Sequence, residues 1–203
     1  GSTRSRGHEF KYPVPRIPRP STPRRPKPAP SAWRENVESI LWAVALALLI
    51  RTFVMAPFKI PSGSMRPTLI EGDRILVNKF IYRFRDPRSG EIIVFRYPDN
   101  PKRPFIKRLV AVGGDLVEIR DGHLWINGQL PSDPQLHHLF YYNQGEFGQE
   151  DQVIRVPEDM YYVLGDNSSS SHDSRYWGFV PERLLIGKAV CIFWPPRRLR
   201  GLR

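Results

Sequence analysis

The sequence is poor in cysteine, in acidic side chains relative to basic ones, and in long apolar runs. Its one cysteine, Cys191, has no partner within the chain, so a disulfide scaffold and a cysteine-based zinc cluster are both excluded. A chain of 203 residues needs neither, because one domain of ordinary size plus extensions buries enough surface to hold a core. Wholesale disorder is also excluded, with 40% hydrophobic and 12% aromatic residues. Acidic residues number 20 against 31 basic ones, a net charge of +11 that is lopsided along the chain. Residues 1–36 hold nine basic and two acidic residues, so they carry +7 of it, together with eight of the 21 prolines. Pro/Arg-rich composition favours extended, solvated backbone, and this stretch reads as a disordered basic arm. The +4 that remains is interleaved with acids rather than lined up with aromatics, so no nucleic-acid partner is expected.

The longest apolar run, Ile40 to Ile50, has eleven residues. Alone it is too short for a membrane crossing, which needs roughly 20 mostly apolar residues. Extended from Val37 to Phe58 it reaches 22 positions and admits Glu38, Ser39, Arg51 and Thr52, whose two charges sit close enough to the ends to reach headgroups. An uncleaved transmembrane anchor over 37–58 is the favoured reading. A buried core helix and a removed signal segment, with Met55-Ala56 near its end, are the alternatives. For an anchor, the basic flank places residues 1–36 in the cytoplasm and everything after Phe58 across the membrane.

From Lys59 onward no helical period is sustained. Short β-like runs follow turn residues: Arg74 to Val77 after Glu71-Gly72-Asp73, and Glu91 to Phe95 after Arg88-Ser89-Gly90. Ile106 to Val112, Leu116 to Arg120, Leu124 to Ile126, Tyr161 to Leu164 and Ala189 to Trp194 read the same way, with hairpin signals at Asp121-Gly122 and Asn127-Gly128. Residues 59–203 are therefore expected to form a mainly β, antiparallel sheet or barrel-like domain behind one N-terminal transmembrane helix. Residues 133–152 break the rhythm and read as an exposed insertion loop.

Three segments carry chemistry. Pro61-Ser62-Gly63-Ser64-Met65-Arg66-Pro67-Thr68-Leu69 sets two hydroxyls about a glycine, which suits either a serine presented on a tight turn or a plain flexible loop. In Phe105 to Asp115, strand alternation puts Lys107 and Arg108 on opposite faces, so one of them faces inward. The third, Gly165-Asp166-Asn167 through four serines and His172 to Asp173-Ser174-Arg175, is otherwise a serine-rich loop.

Taken in order, these segments and Gly72-Asp73 through Val77 resemble the blocks of type I signal peptidases, membrane-anchored serine proteases that use a Ser-Lys dyad. The resemblance covers nearly all of residues 37–194. It implies Ser64 as nucleophile and Lys107 as general base, with no histidine, metal or cofactor. A lysine base must be neutral, and desolvation in an apolar strand favours the neutral form. Arg108 then points toward solvent or a structural acid. The resemblance further implies an oxyanion hole from the Ser64 N–H and the Ser62 hydroxyl, Ser171 orienting the lysine, and Asp166, Asp173 and Arg175 holding the loop. Ser168 stands where relatives commonly carry arginine, which puts the rigidity of that loop in question. His172 as a triad histidine is the less favoured reading against an ordinary exposed residue.

The resemblance also implies that Phe58, Ile60, Leu69 and Ile106 line shallow pockets for small side chains, giving an Ala-x-Ala preference; ordinary core packing is the alternative. Partners are then precursor proteins bearing signal peptides, the lipid bilayer and the export machinery. Exposed aromatics including Phe53, Phe58, Phe80 and Tyr82 would rest on lipid. The expected location is the cell membrane, single-pass, with the catalytic domain extracytoplasmic. Plastid or mitochondrial processing peptidases share the blocks and stay open, and a basic β-barrel binding nucleic acid or acidic lipid is the rival of another class.

Overall fold

The computed structural model describes residues 32–202. The arm therefore falls outside the described residues up to Ser31, and its last residues differ from expectation: 32–36 already belong to helix α1 (Ala32–Leu49), an 18-residue segment of about 27 Å. Helical turns of π type continue over Ile50–Val54. Ile40, Leu41, Trp42, Val44, Leu46, Leu48 and Leu49 are exposed along it. Among the described residues no helix is long and apolar enough to cross a membrane. Arg34, Glu35 and Glu38 in the first two turns of α1 account for that. The expected span over 37–58 also ends too late. Met55–Lys59 is strand β1, paired in register with β2 (Arg74–Asn78) through Met55 with Asn78 and Lys59 with Arg74. Pro57 explains the change, since it lacks the N–H a helix needs but is tolerated in a strand at a sheet edge.

The rest of the body is antiparallel. After β2 come β3 (Ile92–Tyr97), β4 (Asn100–Val112), β5 (Leu116–Arg120), β6 (His123–Ile126), helix α2 (Pro134–His137), β7 (Ile154–Arg155), β8 (Met160–Leu164), helix α3 (Ser174–Trp177), β9 (Val180–Pro181), β10 (Leu185–Trp194) and β11 (Arg200–Gly201). The main sheet runs β1-β2-β10-β3-β4-β8-β9 with β11 on β10, and a small sheet runs β6-β5-β7. Every strand read from the sequence is present, most with slightly wider bounds. Asp121 and Gly122, both at positive φ, close the β5–β6 hairpin, as their residue types predict. The tiny strands β7, β9 and β11 carry no sequence signal, because two-residue ladders are held by their neighbours rather than by any period of their own.

Two details position the site. Ile92 to Phe95 in β3 are all buried, so β3 is covered on both faces. β4 lies beside it, pairing Ile93 with Lys107 and Ile92 with Arg108, and inherits two buried faces over its second half. The 133–152 stretch packs against one of them, so it is an exposed loop only in part. Asp133 caps α2 by accepting the Gln135 N–H at 2.8 Å. Leu136 and Tyr141 are fully buried in a cluster with Val110, Leu124, Tyr162 and Leu164, and Tyr141 N–H donates to Gly122 O at 2.9 Å. Its apolar residues follow no period, which hid this packing from the sequence.

Candidate active site

Ser62, Gly63 and Ser64 sit on a single 3₁₀ turn between β1 and β2. Behind the turn, Ile60 N–H donates to Asp73 O at 2.8 Å, and Asp73 receives Arg198 Nε at 2.8 Å. Thr68 Oγ1 donates to Asp166 at 2.5 Å. These ties join the Ser62–Ser64 turn to Arg198 near the end of β10 and to the loop carrying Asp166. Ser64 itself is buried, and Lys107 Nζ lies 2.7 Å from its Oγ. The two residues are 43 apart in sequence, and β4 is the element that brings them together.

Lys107 is 4% exposed. Burial disfavours its ammonium and brings its pKa from 10.5 down to about 8; Asp173 and Asp166 oppose that shift and Arg175 assists it. About a tenth of the amine is therefore neutral at pH 7, within reach of a serine proton. Ser62 Oγ lies 3.4 Å from Ser64 Oγ, on the exposed side of the turn.

Arg108 takes the opposite face of β4, and the sequence left its destination open. It is 1% exposed and makes a bidentate pair with Asp166, at 2.8 Å through Nε and 2.6 Å through Nη2, while Nη1 reaches Gly90 O at 2.7 Å. Gln135, His138 and Leu139 of the 133–152 stretch border that face across a cleft of about 370 Å³, also lined by Pro67, Thr68 and Arg200. Asp173 and Arg175 form the second buried pair, at 2.8 Å. Asp166 and Asp173 each face a buried arginine, Arg108 and Arg175.

Ser168 does not leave that loop slack. Its hydroxyl accepts from Arg175 Nη1 at 2.6 Å and from Tyr142 N–H at 2.8 Å, and Arg175 also reaches Tyr142 O and Ser168 O at 2.9 Å each. Arg175 and the 133–152 stretch supply the rigidity that a lost arginine called into question. Ser171 is buried beside the dyad but its Oγ has no hydrogen-bond partner, so the expected bond to Lys107 is not formed here. Gly165 is required between them: a Cβ there would lie 2.5 Å from Ser64 O and collide with Ser171 Oγ. His172 is exposed, 3.3 Å from Tyr97 OH, and belongs to the rim rather than the dyad.

A cleft of about 310 Å³ opens over the dyad, lined by Pro61, Ser62, Ser64, Pro104, Phe105, Ile106, Lys107, Ser170 and His172. Next to it a small apolar cavity of about 70 Å³ is lined by Phe58, Ile60, Ile75, Val94 and Ile106 among others. Three of the four expected pocket residues, Phe58, Ile60 and Ile106, therefore meet there. Leu69 borders neither space; it is fully buried in the core with Met65, Ile75 and Ile192, so its apolar character serves packing.

A serine hydroxyl 2.7 Å from a buried lysine amine thus lies inside these ordered sequence blocks. The family model described as signal peptidase, peptidase S26, matches residues 33–194. The chain belongs to the signal peptidase family, peptidase S26. It is 41% identical over 202 residues to signal peptidase I of Leptolyngbya laminosa, covering 96% of each chain. It is 39% identical over 188 residues to the probable signal peptidase I-2 of Synechocystis sp., covering 90% of this chain and 83% of the relative. Similarity extends to thylakoidal processing peptidase 1 of Arabidopsis thaliana, 35% identical over 179 residues, or 83% of this chain and 51% of that one.

The site residue not anticipated from the sequence is Asn167. The sequence marks it only as the end of a Gly-Asp-Asn triplet, and the fold brings its Nδ2 to 3.0 Å from Gly63 O.

Proposed function

We propose that this serine endopeptidase of the signal peptidase family cleaves signal peptides from exported precursors with Ser64 as nucleophile and Lys107 as general base. The observation that carries the assignment is the 2.7 Å approach of the buried Lys107 Nζ to Ser64 Oγ, together with a lysine pKa of about 8. Neutral Lys107 accepts the hydroxyl proton while Ser64 Oγ adds to the scissile carbonyl carbon. The carbonyl oxygen becomes an oxyanion and is met by the Ser64 N–H and the Ser62 hydroxyl. Lys107 then returns the proton to the leaving amine, the new N-terminus of the mature protein, and an ester to Ser64 remains. Water attacks that ester, with Lys107 again taking the proton, and the signal peptide leaves as a carboxylate.

The substrate enters as an extended strand. β1 is the first strand of its sheet, so its outer edge offers backbone partners next to Phe58 to Pro61, and the cavity of about 70 Å³ admits only small side chains. Both features favour alanine at the first and third positions before the cut. Too short in apolar length by itself, α1 is read together with the π-helical turns to Val54 as the membrane anchor, its exposed apolar side chains in lipid, the basic N-terminal arm cytoplasmic and the β body across the membrane. Holding the site at the bilayer brings it to the precursor, whose own apolar signal lies in the same membrane, and to the export machinery that delivers it.

The test is cleavage by the purified chain, in lipid or detergent, of a precursor with an Ala-x-Ala signal sequence. One cut after the final alanine is expected, lost when that alanine becomes tryptophan. Equal cleavage of both precursors would remove the pocket assignment. For topology, Ser132→Cys in a Cys191→Ala background should react with a membrane-impermeant maleimide added outside intact cells; labelling only after permeabilisation would reverse the orientation.

A further inference from the structure

The nucleophile turn is gripped from across the chain by one side chain. Asn167 Nδ2 donates to Gly63 O at 3.0 Å, and Asn167 N–H donates to Ser64 O at 3.0 Å. The amide orientation follows from its other contact: Asn167 Oδ1 accepts the Ser169 hydroxyl at 3.1 Å, which leaves the NH₂ for the carbonyl, a group that can only accept. Gly63 O receives a second donor, Arg66 N–H, at 3.1 Å.

The consequence lies in the geometry of the peptide bond. Gly63 C=O and Ser64 N–H belong to one trans, planar unit, so they point in opposite directions. Whatever fixes the carbonyl fixes the N–H. A donor that holds Gly63 O on the Asn167 side therefore holds the Ser64 N–H on the other, the direction in which it meets a developing oxyanion. We infer that Asn167 is a positioning residue for the oxyanion hole, acting through the Gly63–Ser64 peptide rather than by touching substrate. The inference rests on Ser64 being the nucleophile.

Its signature is confined to the transition state. The aim of the Ser64 N–H matters little to a bound carbonyl and much to an oxyanion, so losing the tether lowers kcat while leaving KM nearly unchanged. Removing an oxyanion donor outright typically costs about 10²–10³ in rate; with Arg66 N–H still on Gly63 O, the loss expected here is about 10 to 10². The Lys107 environment is untouched, so the midpoint of the pH–rate curve stays in place.

The experiment compares wild type, Asn167→Ala and Ser64→Ala in the purified full chain. It measures kcat and KM on an Ala-x-Ala precursor across pH, and affinity for two inhibitors: a signal peptide ending in an aldehyde, and the same peptide ending in an alcohol. The Ser64 oxygen adds to the aldehyde carbon, its proton goes to Lys107, and the carbonyl oxygen becomes the oxyanion; the alcohol only occupies the cleft. Asn167→Ala should lose aldehyde affinity by the same factor as kcat, with alcohol affinity and KM within about twofold of wild type. Full kcat in Asn167→Ala, an equal loss for both inhibitors, or a moved pH midpoint would overturn the inference. A melting curve checks folding, and Asn167→Asp, which keeps the shape and the Ser169 bond but presents no NH₂ to Gly63 O, must lose at least as much kcat as Asn167→Ala; wild-type kcat in Asn167→Asp also overturns it. Activity in Ser64→Ala would instead remove the nucleophile assignment on which the inference stands.

Discussion

Lys107 is a built-in instability, and its size can be worked out. Its pKa falls from 10.5 to about 8 on folding, chiefly through burial, which corresponds to about 3 kcal/mol at 1.36 kcal/mol per pH unit. Between pH 8 and 10.5 the unfolded chain binds more protons than the folded one, so stability rises with pH across that window. The penalty is fully present below pH 8 and has faded above pH 10.5. Lys107→Met keeps the side-chain length and removes the titration. It also leaves Ser64 Oγ without its 2.7 Å partner, which costs about 1 kcal/mol. At pH 7 the variant should therefore be about 2 kcal/mol more stable than wild type, and at pH 10.5 about 1 kcal/mol less stable. Urea unfolding of both proteins, followed by tryptophan fluorescence at half-unit steps from pH 6 to 10.5, reads the gap directly. A gap that stays constant with pH would show that Lys107 is not desolvated, and one that grows with pH would reverse the sign of the argument.

Three further outcomes follow from the same geometry. The rate of cleavage should rise about tenfold per pH unit below about 8 and level off above it, since the neutral amine is the working form; a profile peaking in acid, measured with a fluorogenic precursor peptide, would assign the base to a carboxylate. Gly165→Ala should abolish activity in a folded protein, because its methyl would lie 2.5 Å from Ser64 O; wild-type rates would mean the turn yields freely. Arg108→Ala leaves Asp166 buried without its bidentate partner and should cost about 3–5 kcal/mol in urea unfolding, whereas the joint change Arg108→Met with Asp166→Leu should cost less; the reverse order would deny that the pair is buried as a unit.

How legible this was in the sequence varies residue by residue. Lys107 stood out because a charge in an apolar strand needs a reason, and its neighbours in β4 supplied the alternation that set it against Arg108. Where Arg108 went was not legible, since the cover over its face comes from Leu139 and Tyr141, about 30 residues away and without periodic spacing. The same long-range packing hid how Ser168 is braced, because its partners, Tyr142 and Arg175, are joined only by the fold. The span expected over 37–58 runs four residues into β1. Met55 to Phe58 is as apolar as the helix before it, and only pairing with β2 distinguishes the two. Leu69 shows the limit of carrying a pocket over from a resemblance: hydrophobicity alone does not separate a lining residue from a core one.

The central claim is that Ser64 and Lys107 act together. The most direct measurement is cleavage of an Ala-x-Ala precursor by wild type, Ser64→Ala and Lys107→Ala, purified side by side and shown to be folded. The geometry requires a single cut after the final alanine by wild type and none by either variant. Substantial cleavage by either variant would contradict the dyad.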